Sequence, residues 1–291
     1  MDNQISIRDS VKIDGINIYN GNKNSVTFHH AKEGSGIIFV VGNTRIPAKL
    51  KLAIYRKKAI GLDYHGESVD GVEHLLSAVY ALKIDNLIIE LSDGVCPETD
   101  NCAQEFFDAL KNIRIEQATP KKFWRYKGDN ELSIKSDDKI RPDHWIIKPS
   151  NDFIIDYSAC YPHKVVGEQK FRFKFSEGDY RNQIAEARSP CFTQDSLSKQ
   201  LFFMPKSGLG GVNGKNFLLI GSKEDKCYIN PKEFGVRYGG QEFVRHKILD
   251  VLGTLALTGR HFINTEFRLK MTGHEFDLYA LKRLFKEGYF V

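Results

Sequence analysis

The chain has 291 residues, of which 41% are hydrophobic and 27% charged, and it carries a formal net charge of +5. That length accommodates two ordinary domains or one large one, and the balance is that of a soluble globular protein. A bilayer-spanning helix is not expected, because apolar runs such as LIIEL (87–91) and FLLI (217–220) fall far short of the ~20 residues a span needs. The mild positive charge is no nucleic-acid footprint; it suits an anionic small molecule or a peripheral contact with a membrane surface. No charged-then-apolar signal segment shows in MDNQISIRDS, so secretion is not expected. The five cysteines (Cys96, Cys102, Cys160, Cys191, Cys227) are odd in number and lack CxxC pairing. That argues against a disulfide framework or thiolate zinc cluster and for a reducing cytoplasm.

In chain order, residues 1–60 read as β-rich. SVTFHH, GIIFVV and KLAIY are short β-branched and aromatic runs separated by turns such as YNGNKN. From Val69 to Leu82 the pattern turns helical, with Val72, Leu75, Leu76, Val79 and Leu82 three or four apart. A strand (NLIIEL) and a second amphipathic helix near 101–113 follow. Residues 119–144 are strongly charged and Pro-punctuated, which suggests a boundary: a first α+β domain over 1–120, a connector over 121–150 and a second α+β domain over 151–291. In the second half, strands are expected at 152–157, 169–175 and around 216–229. A long helix then runs from Gln241 to about Thr258, followed by a strand (NTEFRLKM) and a helix from about His274 to Lys286.

The halves read as an internal repeat. VEHLLSAVYAL, NLIIEL and CAQEFFDALKNI parallel VRHKILDVLGTLAL, TEFRLKM and HEFDLYALKRLF, and each first helix opens Val-x-His. Two such α+β layers facing each other would bring His74 and His246 together.

His246 and Asp250 stand at i, i+4, which places both side chains on one helix face. With His74 from the matching helix they form the three protein ligands of an open catalytic zinc site. Each alone has a plainer reading: a packed core histidine, or a surface His–Asp hydrogen bond. Their joint occurrence in matching helices favours the metal. Glu73, next to His74, is then placed as a general base, since Zn²⁺ draws the pKa of bound water towards ~7. Two histidines and an aspartate also suit Fe²⁺. His274, opening the last helix, reads as a second acid/base or an electrostatic partner for an oxyanion, or as a helix-start residue with no special role. GLGG (208–211) lacks the Walker lysine and reads as a turn or a close backbone approach.

With these residues in place, the chain resembles the UDP-3-O-acyl-N-acetylglucosamine deacetylases, zinc amidases of lipid A biosynthesis. The resemblance is clearest in GVEHLLSAVYALKIDNLIIEL (71–91), EFVRHKILDVLG (242–253) and TGHEFDLYAL (272–281), with weaker echoes in GSGIIF (34–39), IAEARS (184–189), GLGG and Asp100. It implies two similar β-α-α-β domains packed as a sandwich with the site between them. It implies His74, His246 and Asp250 as zinc ligands, Glu73 as base and His274 as the second catalytic histidine. By the same resemblance, Lys247 lies near the substrate and Ser189 supplies a hydroxyl that polarises the scissile carbonyl. The substrate implied is an anionic sugar nucleotide. Several positions depart from the family's pattern: Tyr19 stands for a histidine, Pro190 for an aromatic, Met271 for a basic residue, and Thr254 for an aspartate that supports the catalytic histidine. Loss of that carboxylate should lower the affinity of His274 for its proton. The VNGKN and SACYPHK stretches are changed as well. Two alternatives therefore stand beside the lipid A reaction: a paralogous zinc deacetylase acting on another N-acetylated sugar, and a sugar-nucleotide-binding protein without turnover. The sequence carries no signal for oligomeric state.

Overall fold

The computed structural model describes residues 2–56, 58–137, 143–161, 166–193, 216–221 and 235–291. Two five-stranded sheets organise them. Strand β1 (Asn3–Ile7) lies outside both and pairs antiparallel with β10 (Arg114–Pro120), closing the first half. The first sheet is built from β2 (Val11–Ile16), β3 (Lys23–His30), β4 (Ile37–Val41), β5 (Thr44–Pro47) and β9 (Leu87–Leu91). Its order is β2-β3-β9-β4-β5, antiparallel except for the β4–β9 pair. The second sheet is built from β12 (Leu132–Lys135), β13 (His144–Pro149), β14 (Ile154–Cys160), β15 (Glu168–Lys174) and β19 (Thr265–Lys270). Its order, β12-β13-β19-β14-β15, repeats the plan, and again the one parallel pair, β14–β19, lies next to the central strand. The repeat expected from the helix motifs thus extends to strand order and direction.

Each central strand is flanked in sequence by two helices. These are α1 (Glu73–Ala81) and α2 (Gln104–Lys111) around β9, and α4 (Glu242–Ala256) and α5 (His274–Lys286) around β19; a short α3 (Glu177–Gln183) lies between the pairs. Ser176 caps α3 by accepting the Asp179 N–H at 3.0 Å. Helix α2 rests on β2, α4 rests on β14 and β15, and α1 packs along α4. The order is therefore sheet, helices, helices, sheet, and the expected α+β sandwich is the observed one. All nine residues of α1 are buried, as are most of α4, including the polar Glu73, His74, His246 and Asp250. Their closest approach is at Gly253: a Cβ built there would sit 2.1 Å from the Glu73 carbonyl oxygen, so only glycine fits. No helix among the described residues is long and apolar enough to cross a membrane.

Two expectations change. Val69 and Asp70, read as the start of α1, end strand β8 (Glu67–Asp70); with β6 (Ala53–Arg56) and β7 (Ala59–Tyr64) it forms a small antiparallel sheet. Gly71, at φ 73°, breaks the chain between strand and helix. The stretch 121–150, read as a connector, carries β11 (Phe123–Trp124), paired with β18 (His261–Phe262), and β12 and β13, the edge strand of the second sheet and its neighbour. On β12 and β13, Lys135 and Lys148 lie on the outer side, while Ile134, Trp145 and Ile147 alternate into the core. Of the strands expected around 216–229, β17 (Leu218–Gly221) is described; it pairs in parallel with β16 (Pro190–Thr193). GLGG, Cys227, most of VNGKN and part of SACYPHK lie outside the described residues. The four described cysteines are all free.

Candidate metal and catalytic site

Where α1 and α4 meet, both helices direct polar side chains into an otherwise apolar interface. Glu73 and His74 occupy the first turn of α1, and His246 and Asp250 the middle of α4; all four are buried. One ligand atom each from His74, His246 and Asp250 lie within 4.8 Å of one another. His246 Nε2 is 3.1 Å and His74 Nε2 3.7 Å from Asp250 Oδ1. Ligands bound at about 2.1 Å in a tetrahedral site stand about 3.4 Å apart, so these separations bracket what one metal ion requires.

The chemistry of the donor set agrees. His246 Nδ1 lies 2.9 Å from the Ala187 carbonyl, an acceptor only, so Nδ1 carries a proton and Nε2 is the ring atom turned towards Asp250 Oδ1. Asp250 Oδ1 is buried and accepts no hydrogen bond. A buried carboxylate oxygen without a hydrogen bond is costly, and a cation held jointly with the two imidazoles would relieve it. The other Asp250 oxygen, Oδ2, accepts from Lys247 Nζ at 3.0 Å. Burial alone would raise the Asp250 pKa, but His246, Lys247 and His274 hold it well below the usual carboxylate range. The residues present therefore fit a divalent metal.

Glu73 Oε2 accepts the Ile60 N–H at 3.1 Å, while Oε1 is 3.6 Å from His274 Nε2. Burial, with Asp250 adding to it and His74 opposing, pushes the Glu73 pKa up to about 7. That is where a carboxylate can both take and return a proton at neutral pH. His274 opens α5 as expected, beside the Tyr55 ring. Burial presses its pKa down to about 4, against an upward pull from Asp250. Thr254 offers it no charge: its hydroxyl donates to the Asp250 carbonyl one turn back, and His274 Nδ1 is buried without a hydrogen-bond partner.

Ser189 Oγ lies 2.8 Å from His246 Nε2, at the edge of the donor set. Its segment is pinned by a buried ion pair that the sequence reading missed: Glu242, the first residue of α4, accepts from Arg188 Nε at 2.7 Å and Nη2 at 2.9 Å. Arg188 N–H also donates to Glu242, and Ser189 N–H to the Asn101 carbonyl. The Ala187 carbonyl and the Ser189 hydroxyl are in this way tied to the helix that carries His246. Lys247, expected near the substrate, is occupied by Asp250 in this arrangement.

A cavity of about 280 Å³ opens beside the donor set, lined by Ile18, Tyr19, Lys58, Ala59, Gly71, Glu73, His74, Glu98, Asn101, Ser189, Pro190, Cys191 and Phe217. Two of the departures, Tyr19 and Pro190, are on its wall. Met271 is not; it is buried, and its Sδ accepts the Cys160 N–H. Glu98 and Lys58 are wall residues that the sequence reading did not single out. The signal for Glu98 is its position in a polar, Pro-led loop between a central strand and a helix, where scaffolds commonly place site residues.

The family model described as UDP-3-O-acyl N-acetylglycosamine deacetylase matches residues 4–286. A UDP-3-O-acyl-N-acetylglucosamine deacetylase of Nautilia profundicola is 31% identical, covering 97% of this chain and 91% of its own. The protein of the same name from Wolinella succinogenes is 32% identical over 98% and 91%, and that from Aquifex aeolicus 28% over 97% and 93%. With nearly the whole length of the chain covered, this protein belongs to the UDP-3-O-acyl N-acetylglycosamine deacetylase family.

Proposed function

We propose that the chain hydrolyses the N-acetyl amide of UDP-3-O-acyl-N-acetylglucosamine to the free amine and acetate, the deacetylation step of lipid A biosynthesis. The observation that carries this reading is the meeting of Glu73 with His74, His246 and Asp250 across the α1–α4 contact, next to a cavity. The three donors are assigned to Zn²⁺, which their nitrogen and oxygen ligands suit; Fe²⁺ fits the same set. Bound there, the ion supplies Lewis acidity that polarises the amide carbonyl and acidifies water.

Glu73 removes the proton from the attacking water at Oε1, the oxygen not held by Ile60. The Ser189 hydroxyl donates to the developing oxyanion. Departure of the amine requires a proton. His274 is assigned to this end of the reaction, within reach of Glu73, from which the abstracted proton can pass. Its low proton affinity means that it holds a transferred proton only briefly. Lys247 keeps Asp250 oriented by neutralising Oδ2. The uncharged sugar ring and acyl chain are assigned to the cavity walled by Ile18, Pro190 and Phe217.

The test is acetate release from UDP-3-O-acyl-N-acetylglucosamine by metal-loaded protein, with Glu73→Ala as control. Turnover that the variant loses supports the reading. A protein that holds metal but releases no acetate from this substrate contradicts it, and turnover of another N-acetylated sugar would put a paralogous deacetylase in its place.

A further inference from the structure

The two histidines of the donor set are supported differently. His246 has a backbone carbonyl on its far nitrogen, Ala187 at 2.9 Å. His74 has none: its Nδ1 is buried and makes no hydrogen bond. Opposite it, 3.6 Å away, stands the carboxylate of Glu98 (Oε1), itself only 7% exposed. We infer that Glu98 is the outer partner of the metal site, a positioning residue that accepts the His74 Nδ1 proton and so fixes His74 Nε2 as the ligand atom. This rests on the metal reading of His74, His246 and Asp250.

A ring that binds metal through Nε2 must carry its proton on Nδ1, and a buried N–H without an acceptor is costly. His74 Nε2 faces Asp250 on the metal side, which leaves Nδ1 for Glu98. Closing a gap of 3.6 Å to a hydrogen bond needs a shift of only about half an ångström, well within what metal loading asks of a side chain. The loop is built to hold Glu98 there. Its N–H and carbonyl exchange hydrogen bonds with Ile16 at 2.9 and 3.0 Å, locking it to β2. Gly15 makes that closure feasible: a Cβ at this position would stand 2.8 Å from the Glu98 carbonyl oxygen and from Pro97 Cβ. Among the described residues, His74 is the one side chain that the Glu98 carboxylate pairs with.

The test is the Zn²⁺ dissociation constant of the full chain, by competition with a chromophoric chelator, for wild type, Glu98→Gln and Glu98→Ala. Thermal unfolding of each metal-free protein runs alongside. Removal of such outer partners typically weakens metal binding by about 10–100-fold. Glu98→Ala is expected in that range, with Glu98→Gln between it and wild type, because the amide oxygen accepts the proton but brings no charge. Should Glu98→Ala not fold, the near-isosteric Glu98→Gln carries the comparison. Variants that bind Zn²⁺ as tightly as wild type overturn this inference alone. A wild-type chain that takes up no Zn²⁺ overturns the metal site itself, and the inference with it.

Discussion

The two halves of the chain share a strand order and a helix plan, but they enter the site from different parts of their helices. In the first half, Glu73 and His74 sit in the first turn of α1, where the backbone N–H groups lack intrahelical partners and a carboxylate is favoured. In the second half, His246 and Asp250 sit mid-helix in α4, one turn apart and fixed by the helix itself. On the proposed reading, the second half would supply a rigid pair of ligands, while the first would supply the reactive carboxylate and the ligand that most depends on its surroundings. Neither half holds a complete site, and the contact between α1 and α4 sets the geometry of both.

The largest expected effect breaks the reactive side of that division. Glu73→Gln keeps the shape but cannot take a proton; kcat should fall by about 10²–10⁴-fold while metal content stays at the wild-type level, measured by elemental analysis. For the same reason the acid limb of kcat/KM should be set by Glu73. With its pKa raised to about 7 in the metal-free protein, activity drops as pH falls below that value, and a bound dication moves the limb lower.

Ser189→Ala should cost about 10²–10³-fold in kcat, the usual loss of one oxyanion donor, whereas Ser189→Thr should keep most activity. Equal losses in both would mean the segment tied by Arg188 and Glu242 had moved, not that a donor was missing.

Gly253→Ala sharpens the role of the helix contact. An added methyl forces α1 and α4 apart at Glu73, and overpacking of this kind costs about 1–3 kcal/mol. The expected outcome is a lowered Tm together with weaker metal binding, because the proposed ligands sit on opposite sides of the wedge.

The effect seen only outside neutral pH concerns His261, at the far end of α1, where its Nε2 lies 2.8 Å from the Tyr80 carbonyl. Burial presses its pKa down to about 3. Between that value and its unfolded value of about 6.5, the unfolded chain binds more protons, so stability rises with pH. Stability should therefore be lost progressively as pH falls below about 6.5, by up to about 1.4 kcal/mol per pH unit, and His261→Gln should flatten that slope in denaturant titrations.

What could be read in the sequence was what local spacing encodes. The four-residue interval of His246 and Asp250 and the α5 boundary at His274 each follow from periodicity within one element; the shared Val-x-His motif opens α1 but lies inside α4, which begins two residues earlier at Glu242. Strands β12 and β13 escaped because their charged residues face solvent and mask the alternation of Ile134, Trp145 and Ile147. Glu98, the Arg188–Glu242 pair and the need for glycine at 253 escaped for another reason. Each is defined by a neighbour distant in the chain, so no spacing rule exposes it. The family resemblance marked Thr254 as a lost carboxylate, and the structure adds that its hydroxyl turns instead to its own helix.

The most direct test of a site shared by the two halves is metal stoichiometry in wild type, His74→Ala and Asp250→Ala, each removing a ligand from a different half. The account predicts about one equivalent in wild type, as for a single open catalytic site, and a marked loss in both variants under the same chelator challenge. Full retention in His74→Ala with loss in Asp250→Ala would place the metal on α4 alone and contradict it.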